Sequence, residues 1–141
     1  MADLGVSPAM MTKTRAAATQ YLRTRIQAST PLELVVMLYD GAVGAADAAR
    51  DAMARRDIPA RKVAMSRLVG IIGELQSTLD LEQGGKIAED LDRLYSWATA
   101  HLMDAVIDRD PKPIEDVRRV LSSLREAWQT IAAAPVAGSR P

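Results

Sequence analysis

The sequence contains no cysteine and no phenylalanine, and each absence narrows what the protein can be. Without cysteine the chain has no disulfide, no thiol nucleophile and no cysteine-bound metal. Trp occurs twice and Tyr three times, so a hydrophobic core must come mainly from aliphatic side chains and alanine. The lack of cysteine is compatible with a reducing compartment.

An excess of one charge is also lacking, because 18 basic side chains balance 18 acidic ones. Proteins that bind nucleic acid ordinarily carry a basic patch or stripe, and an anionic membrane surface selects for a similar excess. We therefore expect neither as a partner. A near-neutral protein with exposed apolar surface is prone to self-association.

Long apolar runs are absent as well. No stretch approaches the about 18 uncharged apolar residues of a membrane-spanning helix. Residues 1–11 lack the charged and then apolar layout of a signal peptide. We expect a cytoplasmic protein with no stable membrane insertion.

Helical periodicity dominates what is present, and no segment alternates with the period of a strand. Thr30, Pro31 and Glu33 form a strong helix start, since threonine caps, proline suits the first turn and glutamate completes a capping box. Breaks at Pro59, Gly84–Gly85 and Pro111 separate the segments that follow. The pattern predicts four amphipathic helices, over residues 31–56, 60–80, 86–109 and 113–133.

Four amphipathic helices with short connections predict an all-α, antiparallel up-down four-helix bundle. Residues 12–26 add a short N-terminal helix or segment. We expect a disordered leader over residues 1–11, a helical bundle domain over 12–133 and a disordered tail over 134–141.

Catalytic and metal-binding patterns are missing from the sequence. His101 is the only histidine, and we interpret it as a half-buried or surface side chain. No Glu-x-x-His pair of a di-iron bundle occurs, and no glycine-rich phosphate loop occurs. The sequence therefore predicts no enzyme, no catalytic residue, no metal and no cofactor.

The first helix is apolar around most of its circumference, which a helix of a four-helix bundle does not need. Its core face includes Val35, Tyr39 and Ala46. The excess apolar surface predicts a partner site, to which Trp97 of the third helix is added because it falls off that helix's main face. The predicted site residues on the first helix are Leu34, Met37, Leu38, Gly41 and Ala45.

An alternative explanation lies within the same chain. Residues 12–26 precede the first helix, and Tyr21 or Ile26 could pack on its second apolar side. Both interpretations hold together if the N-terminal segment covers the groove and a partner displaces it, at some loss of apparent affinity.

Several segments, in order, resemble the flagellar secretion chaperone family FliS. The resemblance covers residues 18–132 and includes Tyr21 and Pro31, ten residues apart. Its motifs are residues 34–41 (LVVMLYDG), 71–80 (IIGELQSTLD), 84–88 (GGKIA), 91–95 (LDRLY) and 124–128 (LREAW).

The resemblance implies a helical bundle that binds the disordered C-terminal segment of flagellin, blocks its premature polymerisation and delivers it to the flagellar type III export gate. It also implies that the segment bearing Tyr21 covers part of an apolar groove. A longer leader and the alanine-rich stretch 45–49 depart from the family pattern and leave partner details open. The alternative function is a regulatory module of the same fold that sequesters a different amphipathic segment.

Overall fold

The computed structural model describes residues 31–133, which form four α-helices joined by short connections. The predicted all-α class and helical bundle are confirmed. The expectations for residues 1–11, for the segment 12–30 and for the tail 134–141 lie outside the described residues. The helices are α1 (Pro31–Ala54), α2 (Ile58–Ser77), α3 (Gly85–Asp108) and α4 (Lys112–Ala133).

Local chemistry sets where the helices begin. The Asp57 carboxylate accepts a hydrogen bond from the Ala60 amide at 3.1 Å and caps α2. Proline is tolerated in the first turn, so Pro59 lies inside α2, and the helix starts at Ile58 rather than at the predicted residue 60. Before α3, a side chain at Gly84 would place its Cβ 2.6 Å from that of Ala88. Glycine is therefore required at this turn.

The helices pack in a ring in which each contacts its sequence neighbours and α4 closes against α1. Asp40 and Asp47 of α1 pair with Arg125 and Arg118 of α4, respectively. Residue numbers rise along α1 as they fall along α4, so these two helices are antiparallel. The apolar period of α4 alone predicts that both arginines lie on its outward face, whereas in the structure they pair with α1.

The core combines small side chains from α1 with larger ones from the other helices. All the buried residues of α1 except Tyr39 are alanines. Because interaxial distance follows side-chain size, alanines let the neighbouring helices approach closely. The larger buried aliphatic residues are Leu68, Ile72, Leu75, Leu102, Ile114, Val117 and Leu121.

The apolar periods of α3 and α4 predict that Ile87 and Ile131 face the core, but both side chains are exposed. Ile87 is 71% exposed and Ile131 is 51% exposed. Ile87 lies in the first turn of α3 and Ile131 in the last turn of α4, where neighbouring helices begin and end. Periodicity assigns a face of a helix, but it does not tell how far along the helix that face is covered.

A polar contact crosses the centre of the bundle. The hydroxyl oxygens of Tyr39 in α1 and Tyr95 in α3 lie 2.6 Å apart, and both side chains are buried. Burial disfavours the phenolate and raises the pKa of both tyrosines. One hydroxyl donates a hydrogen bond to the other, so the neutral pair links two helices that are not neighbours in the ring.

Candidate partner-binding site

One row of residues on α1 forms the side that faces α2. Leu34, Leu38, Gly41, Ala45 and Ala48 follow one another at alternating intervals of four and three residues, so they share one helix face. Leu34 and Leu38 are half-buried, and Ala48 is exposed. The row therefore runs from large side chains near the start of α1 to small ones near its end.

An open groove lies between the small-residue part of this row and the first half of α2. Its volume is 770 Å³. Val63, on the α2 wall, is 71% exposed. The groove is mainly lined by small and aliphatic side chains. From α1 these are Gly41, Gly44, Ala45 and Ala48, and from α2 they are Pro59, Ala60, Val63 and Ala64. The charged lining residues are Asp40, Asp57 and Arg67.

The two glycines of α1 in this groove have different surroundings. A Cβ at Gly41 would lie 3.2 Å from Cδ1 of Ile71 in α2, closer than ordinary contact, so this glycine brings the two helices together. A Cβ at Gly44 would meet nothing within 4 Å. Gly44 therefore exposes its backbone to the groove and leaves space that a guest side chain can enter.

The structure places the predicted residues of α1 at different depths. Leu34, Met37 and Leu38 are half-buried, and Leu38 packs against the core. Gly41 is also half-buried and lines the groove. Ala45 is only 5% exposed and belongs to the core, so it forms the floor of the groove and is less accessible than the other predicted residues of α1.

Trp97 lies away from this groove. It is 39% exposed on α3, and its ring stacks on that of His101 at 5.0 Å. His101 Nε2 lies 3.1 Å from Asp116 Oδ2 of α4, so Trp97 sits on the α4 side of α3. Because α3 is diagonal to α1 in the ring, the structure does not bring Trp97 together with the α1 residues. The predicted residues Tyr21 and Ile26 lie outside the described range.

The contact between α3 and α4 is electrostatic at this position. Asp116 accepts a hydrogen bond from Lys112 at 2.7 Å and lies beside His101 and Arg119. The bond from Lys112, reinforced by His101, lowers the pKa of Asp116 to about 2. The carboxylate stays ionised at neutral pH and fixes the ring of His101 under Trp97.

The α2 wall of the groove was missed by sequence reasoning. Pro59, Ala60 and Val63 belong to the first turns of α2, whereas the partner site was predicted from the apolar excess of α1 alone. Val63 does not share the face defined by Leu68 and Ile72, so its position off the buried stripe was the available signal. The register between α1 and α2, which places Val63 opposite α1, could not be obtained from either helix separately.

Among residues 31–133 no three histidine, aspartate or glutamate side chains cluster in a way that could hold a metal ion. The described helices also include none with the length and apolar character needed to cross a membrane. What the described part of the chain offers is an apolar groove with charged residues at its edges, a geometry suited to receiving an amphipathic segment.

Comparison with known proteins gives the family. A model of a family described as "Flagellar protein FliS" matches residues 13–135 of the 141. The chain belongs to the FliS family. The resemblance inferred from the motifs is thereby confirmed.

Characterised members of the FliS family are similar over most of their length. The flagellar secretion chaperone FliSB of Pseudomonas aeruginosa is 33% identical over 120 residues, 82% of this chain and 95% of the relative. The flagellar secretion chaperone FliS of Salmonella typhimurium is 34% identical over 119 residues, 84% of this chain and 88% of the relative. That of Vibrio cholerae is 31% identical over 108 residues, 77% and 79% of the two chains.

Proposed function

We propose that this protein is a flagellin export chaperone that acts by binding and not by catalysis. Its FliS relatives carry the name flagellar secretion chaperone, and the observation in this chain that supports the proposal is the open groove between α1 and α2. The client is flagellin, and the bound part is the disordered C-terminal segment of flagellin. Holding that segment in the cytoplasm prevents premature polymerisation until the complex reaches the type III export gate.

The proposed mechanism is folding of the client on the chaperone. A disordered segment loses conformational entropy when it forms a helix, and burial of its apolar face must offset that loss. Glycine and alanine on the groove floor let a guest helix approach the backbone of α1 closely, which increases the apolar area it buries. Leu34, Met37 and Leu38 extend the same face of α1 beyond the groove, so the guest would continue along it.

Three further residues belong to the proposal. Tyr21 and Ile26 form a cover that leaves the groove when the client docks. Trp97, on the other side of the bundle, makes a second contact with a client long enough to pass around it. An extended client that contacts both surfaces would gain affinity from effective concentration, because its second contact becomes intramolecular.

Filling the groove tests the proposal. Gly44→Leu places a side chain in the open space beside the α1 backbone, and it also replaces glycine with a better helix former. We expect native helical circular dichroism, undiminished thermal stability, and binding to a flagellin C-terminal peptide weakened by about tenfold or more, which corresponds to ~1.4 kcal/mol. Isothermal titration calorimetry measures the change in affinity.

Gly70→Leu is the matched control. Gly70 is also an exposed glycine within a helix, a Cβ there also meets nothing within 4 Å, and it does not line the groove. This variant should bind like the unmodified protein. Equal affinity of the two leucine variants would refute the groove as the docking site. A separate test compares full-length flagellin with flagellin that lacks its C-terminal segment. Equal binding of these two proteins would refute the C-terminal segment as the bound part.

A further inference from the structure

A second cavity lies at the end of the bundle where α1 turns into α2 and α3 ends. It encloses 650 Å³ and shares only Asp57 with the groove between α1 and α2. The ends of α1 and α3 and the start of α2 meet there. The lining residues are Ala52, Met53, Arg56, Asp57, Ile58, Arg61, Val106, Ile107 and Arg109.

Three arginines in this end cavity have no ion-pair partner in the part of the chain that the structure describes. Within residues 31–133, Arg56, Arg61 and Arg109 form no ion pair. The single acidic lining residue, Asp57, caps α2 and lies 4.0 Å from Arg55, so one carboxylate faces three guanidinium groups in this cavity. The described residues as a whole carry 13 basic and 17 acidic side chains. The end cavity is therefore a local positive site on an acidic bundle.

Two of these arginines occupy backbone positions that ordinarily favour glycine. Arg56 has φ of 58° and Arg109 has φ of 53°, both in the left-handed region just after a helix. A side chain there is disfavoured, and helices commonly end with glycine for that reason. The chain carries a guanidinium group at both positions in spite of the backbone cost.

The remaining walls of the end cavity are aliphatic and accessible. Ile107 is 75% exposed and Ile58 is 53% exposed, and Met53 and Val106 are partly buried against the core between them. Aliphatic walls accept branched side chains, and methionine adapts to guests of different shape. The guanidinium groups accept carboxylates with two hydrogen bonds each. We propose that the end cavity binds an acidic, aliphatic peptide segment of another protein.

Charge argues against the chain's own termini as the occupant. Residues 1–30 contain four basic side chains and one acidic side chain, and residues 134–141 contain one basic and no acidic side chain. Like charge with the three arginines disfavours either segment in the end cavity. An acidic segment from a different protein has the complementary charge, and it would bind at a place distinct from the proposed flagellin groove.

The test compares adjacent residues of α2 with equal changes of charge. Arg61 lines the end cavity, whereas Lys62 is exposed, forms no ion pair among the described residues and does not line it. A short fluorescein-labelled peptide of alternating Leu and Glu serves as the probe, with an otherwise identical peptide of Leu and Lys as its control. Fluorescence anisotropy of the full chain should show that the Glu peptide binds and the Lys peptide does not.

We expect Arg61→Glu to weaken binding of the Glu peptide by about tenfold or more, since a charged hydrogen bond is lost and a like charge gained. Lys62→Glu should change it by less than about twofold, as expected of a distant exposed charge. Ile107→Ser should also weaken binding, because an aliphatic wall is removed. Equal weakening by the two glutamate variants would overturn the proposal in favour of unspecific attraction.

A combined variant separates loss of function from loss of folding. Arg56→Gly with Arg109→Gly removes two guanidinium groups and gives both backbone positions their favoured residue. We expect peptide binding to fall while the thermal midpoint stays the same or rises. Unchanged peptide binding by this double variant would overturn the proposal. A second contrary outcome is that the peptide fails to bind and sedimentation experiments show self-association that depends on Arg61. The occupant of the end cavity would then be a second copy of this chain.

Discussion

Helix α1 meets α4 through charged side chains and meets α2 through small ones. Towards α4, Asp47 accepts a hydrogen bond from Arg118 at 2.6 Å, and Asp40 pairs with Arg125. Towards α2, a Cβ at Gly41 would lie only 3.2 Å from Cδ1 of Ile71, and the helix surface beyond it is open. The two seams of one helix therefore differ in what holds them and in what they leave exposed.

The difference shows how a small bundle can keep a rigid frame and still offer a surface. The ion pairs with α4 lie two helical turns apart, so they fix the register of that seam. The α2 seam is held by close packing of alanine and glycine, which fills its inner part and leaves its outer part concave. We expect substitutions to affect stability on the buried part and binding on the open part.

The largest effect should come from enlarging a buried alanine of α1. Ala49 is completely buried, and its neighbour Ala48 is exposed and lines the groove. Ala49→Leu should lower the free energy of unfolding by about 1–3 kcal/mol, because the packed core cannot accept the added carbons without strain. Ala48→Leu should leave it nearly unchanged. Urea denaturation followed by circular dichroism measures both, and equal losses would contradict the division of α1 into a packed and an open side.

An intermediate effect of opposite sign is expected at Gly44. Gly44→Ala should raise the free energy of unfolding by about 1 kcal/mol, since alanine favours the helix and its methyl group meets no neighbour. Thermal unfolding by calorimetry measures the gain. Gly41→Ala is the comparison, where contact with Ile71 offsets part of the same gain. A larger gain at Gly41 than at Gly44 would show that the α2 seam is looser than the structure indicates.

The smallest effect belongs to the charged seam. Asp47 and Arg118 are each about one-third exposed, so their coupling should be about 0.5 kcal/mol in a double-mutant cycle of Asp47→Asn and Arg118→Gln. The coupling should shrink in high salt because mobile ions screen partly exposed charges. Denaturation at two ionic strengths supplies the measurement, and coupling that is insensitive to salt would mean that the pair is held mainly by packing.

Sequence reasoning could predict most of the fold because its signals are local. The helix-start pattern of residues 30–33, the proline breaks and the period of the apolar residues are each sequence signals that belong to one helix. Relations between helices were harder to predict. The pairing of Arg125 with Asp40 depends on the register of α1 and α4, and a wheel drawn for α4 alone assigns that arginine to solvent.

The candidate site could be predicted only in part for the same reason. The apolar excess of α1 indicated that one of its sides would be open, and Gly41 lines the groove. The burial of Ala45 could not be predicted, because an alanine between two faces is buried or exposed according to how closely α2 approaches. The arginines of the end cavity gave no signal, since they come from separate turns that only the assembled bundle brings together.

The tyrosine pair at the centre of the bundle has a consequence for how a guest can be accommodated. Separating α1 from α3 would leave the hydroxyls of Tyr39 and Tyr95 without each other, at a cost of about 1–3 kcal/mol for each one left unsatisfied. Spreading the four helices to admit a fifth between them is thus disfavoured. The interior of the bundle would therefore stay unchanged on binding. The guest would fold on the outer surface of the bundle, and only the guest would change its conformation.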